Sequence, residues 1–166
     1  MLISDSYRAL NLHLHALDPD YGISARHHVA RVRALVRGLG AASVLDYGCG
    51  KGLLREALGP MVAEYDPAVP GKDTAPRPAD LLCAIEVLEH VEPDCLADVL
   101  AHMRTLARDA AYLTIATGPA RKTLPDGRNT HLIVRPAEWW LPRLFDHGFR
   151  LAGFDRGDGG FITVME

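Results

Sequence analysis

The stretch Val44-Leu45-Asp46-Tyr47-Gly48-Cys49-Gly50-Lys51-Gly52 constrains the fold more than any other. Residues 43–46 have strand character, three glycines alternate with single residues, and a helical pattern follows from Lys51 to Leu58. Glycines after a strand let the backbone turn sharply and let a ligand lie against bare peptide, while the next helix presents its positive N-terminus. Spacing separates the ligand classes that use this layout. A dinucleotide fingerprint needs a third glycine three places after the second, and Leu53 stands there. A phosphate-binding P-loop needs Ser or Thr after Gly-Lys, and Lys51 is followed by Gly52. What remains is an acid at the strand end, two residues before a Gly-x-Gly-x-Gly turn.

The rest of the chain alternates strands with helices. Ser24 reads as an N-cap, and Val29, Val32, Leu35, Val36 and Leu39 recur at helical spacing up to Gly40. Arg26, Arg31, Arg33 and Arg37 lie opposite that stripe and read as a solvated face. A second short strand ends at Asp66 and Pro67, and residues 67–79 hold four prolines and read as loop. Residues 81–85 are a continuous apolar run, the mark of a buried strand. Pro93 fits the first turn of a helix carrying Leu96, Val99, Leu100, Met103 and Leu106 on one face. Ala110-Ala111-Tyr112-Leu113-Thr114-Ile115-Ala116-Thr117 is the next strand, and a loop over 118–129 follows. Pro136 opens a helix that Pro142 is expected to kink or split and Gly148 to close. Two terminal strands flank a turn at residues 156–159. The pattern predicts an α/β, doubly wound, mostly parallel sheet with a C-terminal antiparallel hairpin. At 166 residues the chain is sized for a single domain, 1–166: a lid or extra helix over 1–23, then a core over 24–166.

The net charge of −3 argues against a chain that grips nucleic acid or an anionic membrane through bulk charge. No apolar run is long enough to span a bilayer, and the N-terminus lacks the basic start and apolar stretch of a signal peptide. Three cysteines, Cys49, Cys83 and Cys95, are odd in number and lack CxxC spacing. Neither a disulfide framework nor a metal site is expected, and a cytoplasmic location is the default.

The glycine turn resembles motif I of the class I, Rossmann-like S-adenosylmethionine-dependent methyltransferases. Two further matches stand in the right order: Asp66 at the end of the second strand, and Asp80 leading to Glu86-Val87-Leu88-Glu89-His90-Val91, similar to the family's phrase after its fourth strand. The resemblance covers residue 24 to the C-terminus and is specific over 43–52 and 80–91. It implies S-adenosyl-L-methionine as cofactor, S-adenosyl-L-homocysteine as product, and methyl transfer to an acceptor. Asp46, Gly48, Cys49 and Gly50 would face the methionyl end, Asp66 (or Glu64) and Pro67 the ribose, and Glu86 the sulfonium, with Tyr21 capping from the lid. One departure is evident. The residues between Asp66 and Asp80 are too few and too proline-rich for the family's usual helix and third strand, so both are expected to be missing, and Asp73 or loop backbone would meet adenine.

Loops at the carboxyl ends of parallel strands line the ligand crevice, so residues 118–131 are expected beside the acceptor. There Arg128 would pair with an acidic group, Asn129 orient it, and His131 serve as general base; Glu86 is the other candidate base. His90 is a weaker catalytic candidate than either. Trp139 and Trp140 offer a stacking surface, with one of them expected in the core. Glu86-Val87-Leu88-Glu89 is not the Asn/Asp-Pro-Pro-Tyr phrase of DNA amino-methyltransferases, and no cysteine is placed as in cytosine-C5 enzymes. The expected acceptor is an O or N atom of a small acidic metabolite or nucleotide, ahead of a protein side chain. A non-catalytic cofactor-binding partner subunit and a homodimer are the alternatives.

Overall fold

The apolar run over residues 81–85 has no polar face to turn toward water, so it belongs inside a sheet covered on both sides. In the computed structural model, which describes residues 1–18, 22–157 and 159–166, the run completes strand β3 (Ala79–Ile85). It pairs in parallel with β1 (Val44–Tyr47) on one side and β4 (Ala107–Ala116) on the other. β2 (Val62–Tyr65) adds in parallel outside β1. Beyond β4 the antiparallel pair β6 (Gly160–Met165) and β5 (Leu151–Gly157) completes the order β2-β1-β3-β4-β6-β5. This is the doubly wound sheet with a terminal hairpin that the element pattern implies.

Alternation along β3 divides the core in two. Leu81, Cys83 and Ile85 pack toward Val32 of helix α2 (Val29–Leu39) and Leu54 of α3 (Leu53–Leu58). Leu82 and Ala84 face Leu100 and Met103 of α4 (Leu96–Leu106) and Trp140 and Leu144 of α5 (Ala137–Asp146). The five apolar residues that the helical spacing assigns to one face of α4 are all buried. Trp140 is fully buried and Trp139 half-exposed, so one member of the pair is core.

Three local expectations are corrected. Ser24 opens a 3-10 turn (Ser24–His28) ahead of α2 and caps nothing; its hydroxyl donates to Glu86 instead, at 2.5 Å. α3 starts at Leu53 rather than Lys51, because Gly52 sits at φ 81°, outside helical space. Pro142 does not split α5. The one bond its missing N–H removes would have gone to the carbonyl of Glu138, an exposed residue in the first turn that water can serve. Gly148, at φ 84°, closes that helix as expected.

No third strand flanks β2 among the described residues, and the sheet ends there. Residues 66–78 fold back on the glycine turn instead. Asp66 N–H donates to the Lys72 carbonyl at 2.9 Å, and Lys72 Nζ donates to both Glu64 Oε1 at 2.9 Å and the Gly50 carbonyl at 3.0 Å. A Cβ on Gly52 would lie 1.9 Å from that Glu64 oxygen, so the clamp requires glycine there.

The hairpin's attachment is equally tight. A Cβ on Gly160 would stand 2.3 Å from the Ile115 carbonyl oxygen, whereas Gly159 has open space around its Cβ position. Gly160→Ala is expected to lower the unfolding free energy by about 1–3 kcal/mol, as overpacking does. Gly159→Ala should leave it unchanged, and denaturant titration of both variants checks the pairing.

Candidate active site

The chain runs from β1 out to β2 and returns to β3 on the other side of β1, so a crevice opens at the carboxyl ends of β1 and β3. The two loops that leave those ends approach closely. A Cβ on Gly48 (φ 74°) would lie 2.6 Å from Val87 Cγ2, and one on Gly50 (φ 48°) 3.2 Å from the Gly22 carbonyl. The turn is tied to β2 by its own amides. Gly48 N–H and Cys49 N–H both donate to the Tyr65 carbonyl, at 2.7 and 3.1 Å, and Gly50 N–H donates to Asp66 Oδ2 at 3.0 Å. Asp66 Oδ1 accepts from Ala68 N–H at 2.9 Å. Each carboxylate oxygen has a second lone pair for a ligand.

Gly48, Gly50, Asp66, Pro67 and Glu86 line one cavity in this crevice. Part of the opposite wall is one that the sequence pattern did not reveal: Tyr7, Asn11 and His15, one face of α1 (Asp5–Leu17). Spacing of four places them in a row. The alternation of Leu10, Leu12 and Leu14 with polar residues masks that stripe in the sequence. The helix is pinned over the cavity by Tyr7 Oη donating to the His90 carbonyl at 2.6 Å, and by Ser4, whose N–H and hydroxyl donate to Glu92 at 2.8 and 2.7 Å. Tyr21 lies outside the described residues. Asp73 does not line the cavity; it accepts from Gly71 N–H at 3.2 Å and faces Arg8 Nη1 at 3.5 Å. Glu64 is held by Lys72 and, at 3.8 Å, by Arg55.

Asp46 and Cys49 lie beneath the turn rather than in the cavity wall. Burial pushes the Cys49 thiol upward, away from a reactive thiolate. Asp46 Oδ2 has no hydrogen-bond partner, and burial, with the negative charge of Glu64 next, raises its carboxyl to about 7. Glu86 stands at the end of β3 with φ 53°, the one non-glycine residue with positive φ among those described. Its N–H is shared between the Thr114 carbonyl (3.0 Å) and hydroxyl (2.9 Å), which holds this uncommon conformation.

Of Glu86, Arg128, Asn129 and His131, Glu86 alone lines the cavity. Arg128 is exposed and paired with Asp126 at 2.7 Å. Asn129 closes its own loop: Oδ1 accepts from Ala120 N–H and His131 N–H, both at 2.9 Å, and Nδ2 donates to the Ala120 carbonyl at 2.8 Å. His131 donates Nδ1–H to the Gly118 carbonyl at 2.7 Å and meets His90 edge-on, ring centres 4.8 Å apart. His90, which does line the cavity, donates Nδ1–H to the Thr130 carbonyl at 2.8 Å, and burial lowers its pKa to about 4. Next to it Glu89 is fully buried; Oε1 accepts from Ala116 N–H at 2.8 Å, Oε2 has no partner, and burial raises the carboxyl to about 8. Trp139 lies in a separate groove between α4 and α5.

Asp46 gives the ligand-free protein a pH signature. Its folded pKa of about 7 exceeds the unfolded 3.8, so the folded state holds the proton more tightly. Stability from this group is full below the unfolded value and declines as pH rises to about 7, by up to about 4 kcal/mol. Asp46→Asn is expected to match the wild type near pH 4 and exceed it at pH 8, checked by chemical unfolding at both pH values.

A cradle that side chains would fill, beside a backbone-held carboxylate at the end of β2, suits the methionyl and ribose parts of S-adenosylmethionine. Comparisons agree with this reading. A family model described as a methyltransferase domain matches residues 24–153. No curated protein sequence matches the chain significantly. Among solved structures, the chain is similar to Burkholderia thailandensis 1,6-didemethyltoxoflavin-N1-methyltransferase with bound 1,6-didemethyltoxoflavin and S-adenosylhomocysteine (TM-score 0.66, 18% identity, 96% of this chain and 88% of that one). It is also similar to magnesium protoporphyrin IX methyltransferase from Synechocystis with bound S-adenosylhomocysteine (0.61, 18%, 95% and 90%). A third is the mitomycin 7-O-methyltransferase MmcR (0.62, 19%, 93% and 59%). The chain belongs to the methyltransferase-domain family, and it shares its fold with methyltransferases crystallised with S-adenosylhomocysteine.

Proposed function

We propose that this chain methylates an oxygen or nitrogen atom of a small molecule held at the mouth of the crevice beside Glu86. The observation that carries the reading is the position of that residue. Glu86 lines the cofactor cavity and also a second cavity across the ends of β3, β4 and β6, walled by His28, Thr114 and Asp155. A carboxylate between two cavities is where one ligand's reactive atom would meet the other's. The relatives named for N1- and 7-O-methylation are consistent with small acceptors of either atom type.

S-adenosylmethionine, when bound, supplies a methyl group already activated on a sulfonium, so the protein's task is positioning. Asp66 would accept the ribose hydroxyls, and the backbone at Gly48 and Gly50 would carry the methionyl portion. Tyr7, Asn11 and His15 of α1 close the cavity from the other side and exclude water. Orientation of this kind supplies up to roughly 7–11 kcal/mol in the best systems. Glu86 would take the acceptor's proton at the carboxylate that Ser24 orients. His131 faces His90 rather than the cavity, and the base role falls to Glu86. The basic side chains Arg121, Lys122, Arg128 and Arg135 suggest an acidic metabolite or nucleotide, but that reading draws less support because Lys122 is paired with Asp18 at 2.6 Å and Arg128 with Asp126.

S-adenosylhomocysteine at a hundredfold excess over its dissociation constant should stabilise the protein by about 2.7 kcal/mol, and NAD should not. Asp66→Ala should remove that thermal shift. With an acceptor identified from pools of small hydroxyl and amine compounds, Glu86→Gln should lower kcat by about 100-fold or more while cofactor affinity holds. Near wild-type turnover would refute the base assignment. Binding without turnover on small-molecule and peptide pools would favour a partner subunit.

A further inference from the structure

We propose that Glu89, His90 and His131 form a binding site for one divalent first-row transition ion. One donor atom from each lies within 4.8 Å of the other two. An ion bonded at about 2.0–2.2 Å would hold neighbouring donor atoms roughly 3–3.5 Å apart, so closure needs shifts of about 1 Å per side chain. No cysteine takes part, which is why the cysteine spacing gave no hint of it.

Three observations point to a cation. The first is Glu89, fully buried, with Oε2 lacking any hydrogen-bond partner. A buried carboxylate oxygen is costly unless a cation meets it. Protonated or not, that oxygen has no partner at hydrogen-bonding distance. The second is the state of the two imidazoles. Each points Nδ1 at a backbone carbonyl, His90 at Thr130 and His131 at Gly118, and a carbonyl only accepts. Nδ1 therefore carries the proton in each ring, and Nε2 is the unprotonated nitrogen. Metal-binding histidines are oriented in this way. The third is rigidity. Ile133 N–H donates to the Glu89 carbonyl at 3.0 Å and His131 N–H to Asn129 Oδ1 at 2.9 Å, so the loop carrying His131 is stitched to the turn carrying Glu89 and His90.

Two imidazoles and one carboxylate suit zinc, iron or manganese better than magnesium or calcium, which prefer oxygen donors. Three protein ligands leave further positions for water or an acceptor atom. His90 lines the cofactor cavity, and Glu89 Oε1 is bonded to Ala116, which lines the second one, so the ion would stand beside the reacting atoms. Its role there, to hold an acceptor oxygen and ease loss of its proton, rests on the function proposed above; the site itself does not.

The test is calorimetric titration of chelator-treated protein with Zn2+, Mn2+ and Mg2+, with the ligand-field absorption of added Co2+ as a second readout. One equivalent of Zn2+ or Mn2+ should bind well ahead of Mg2+, and Co2+ should show nitrogen ligation. His131→Ala and the near-isosteric Glu89→Gln should each weaken binding about tenfold or more, with S-adenosylhomocysteine affinity retained. Wild-type protein that takes up no ion, or a His131→Ala variant that binds as tightly as wild type, would overturn the site. Wild-type protein that binds the ion but not S-adenosylhomocysteine would leave the metal site standing and overturn the cofactor reading.

Discussion

After β1 the backbone turns through a space with no room for side chains, and much of the site follows from that. Val87, leaving the end of the neighbouring strand β3, stands against Gly48 where a Cβ would be. The Tyr65 carbonyl at the end of β2 draws in the amides of Gly48 and Cys49 from the other side. Three adjacent parallel strands thus meet at one glycine turn, and the cavity is the gap left above it. Any side chain at Gly48 would separate β1 from β3 at the point where both border the cavity.

The shortened connection between β2 and β3 is stabilised by a different device. A helix and a further strand would ordinarily cover the edge of β2 and brace the turn. Here one side chain, Lys72, spans the same gap by joining Glu64 to the Gly50 carbonyl. The interaction is local, a half-buried ion pair with a backbone acceptor, and it stiffens the cradle without adding a layer. The cavity is enclosed from the N-terminal side, where α1 rests on Glu92 and on the His90 carbonyl.

Among the described residues, two buried carboxylates, Asp46 and Glu89, each keep an oxygen with no hydrogen-bond partner. The physics is the same for both: desolvation disfavours the charged form until positive charge arrives. Asp46 lies beneath the cofactor turn and Glu89 between the two cavities. Glu86 adds a third departure from local preference, a non-glycine residue at positive φ held by bonds to Thr114. Buried orphan oxygens and backbone strain gathered at the ends of β1 and β3 mark that edge of the sheet as the working one.

The strand-turn-helix at Asp46 to Gly52, the apolar run of β3 and the helical stripe of α4 could be read from the chain because each depends on neighbours in sequence. Period, turn chemistry and glycine spacing act over a few residues, and the absent third strand followed from the shortness and proline content of residues 67–79. What lines the cavity opposite the turn could not be read so. Tyr7, Asn11 and His15 face the cavity only because α1 docks on Glu92 and His90, more than eighty residues away. Arg128 and Asn129 carry the right chemistry, yet the folded loop commits their hydrogen bonds to Asp126, two residues away, and to Ala120. The meeting of Glu89 and His90 with His131 was likewise decided by the fold, since one loop had to close on another before three ordinary residues could become neighbours. Sequence by itself determined the sheet, the glycine cradle and the acid at the end of β2, because short-range sterics and hydrophobic period settle them. Only the tertiary structure decided which polar side chains kept lone pairs for a ligand, because that depends on which partners the folded chain brings within hydrogen-bonding distance.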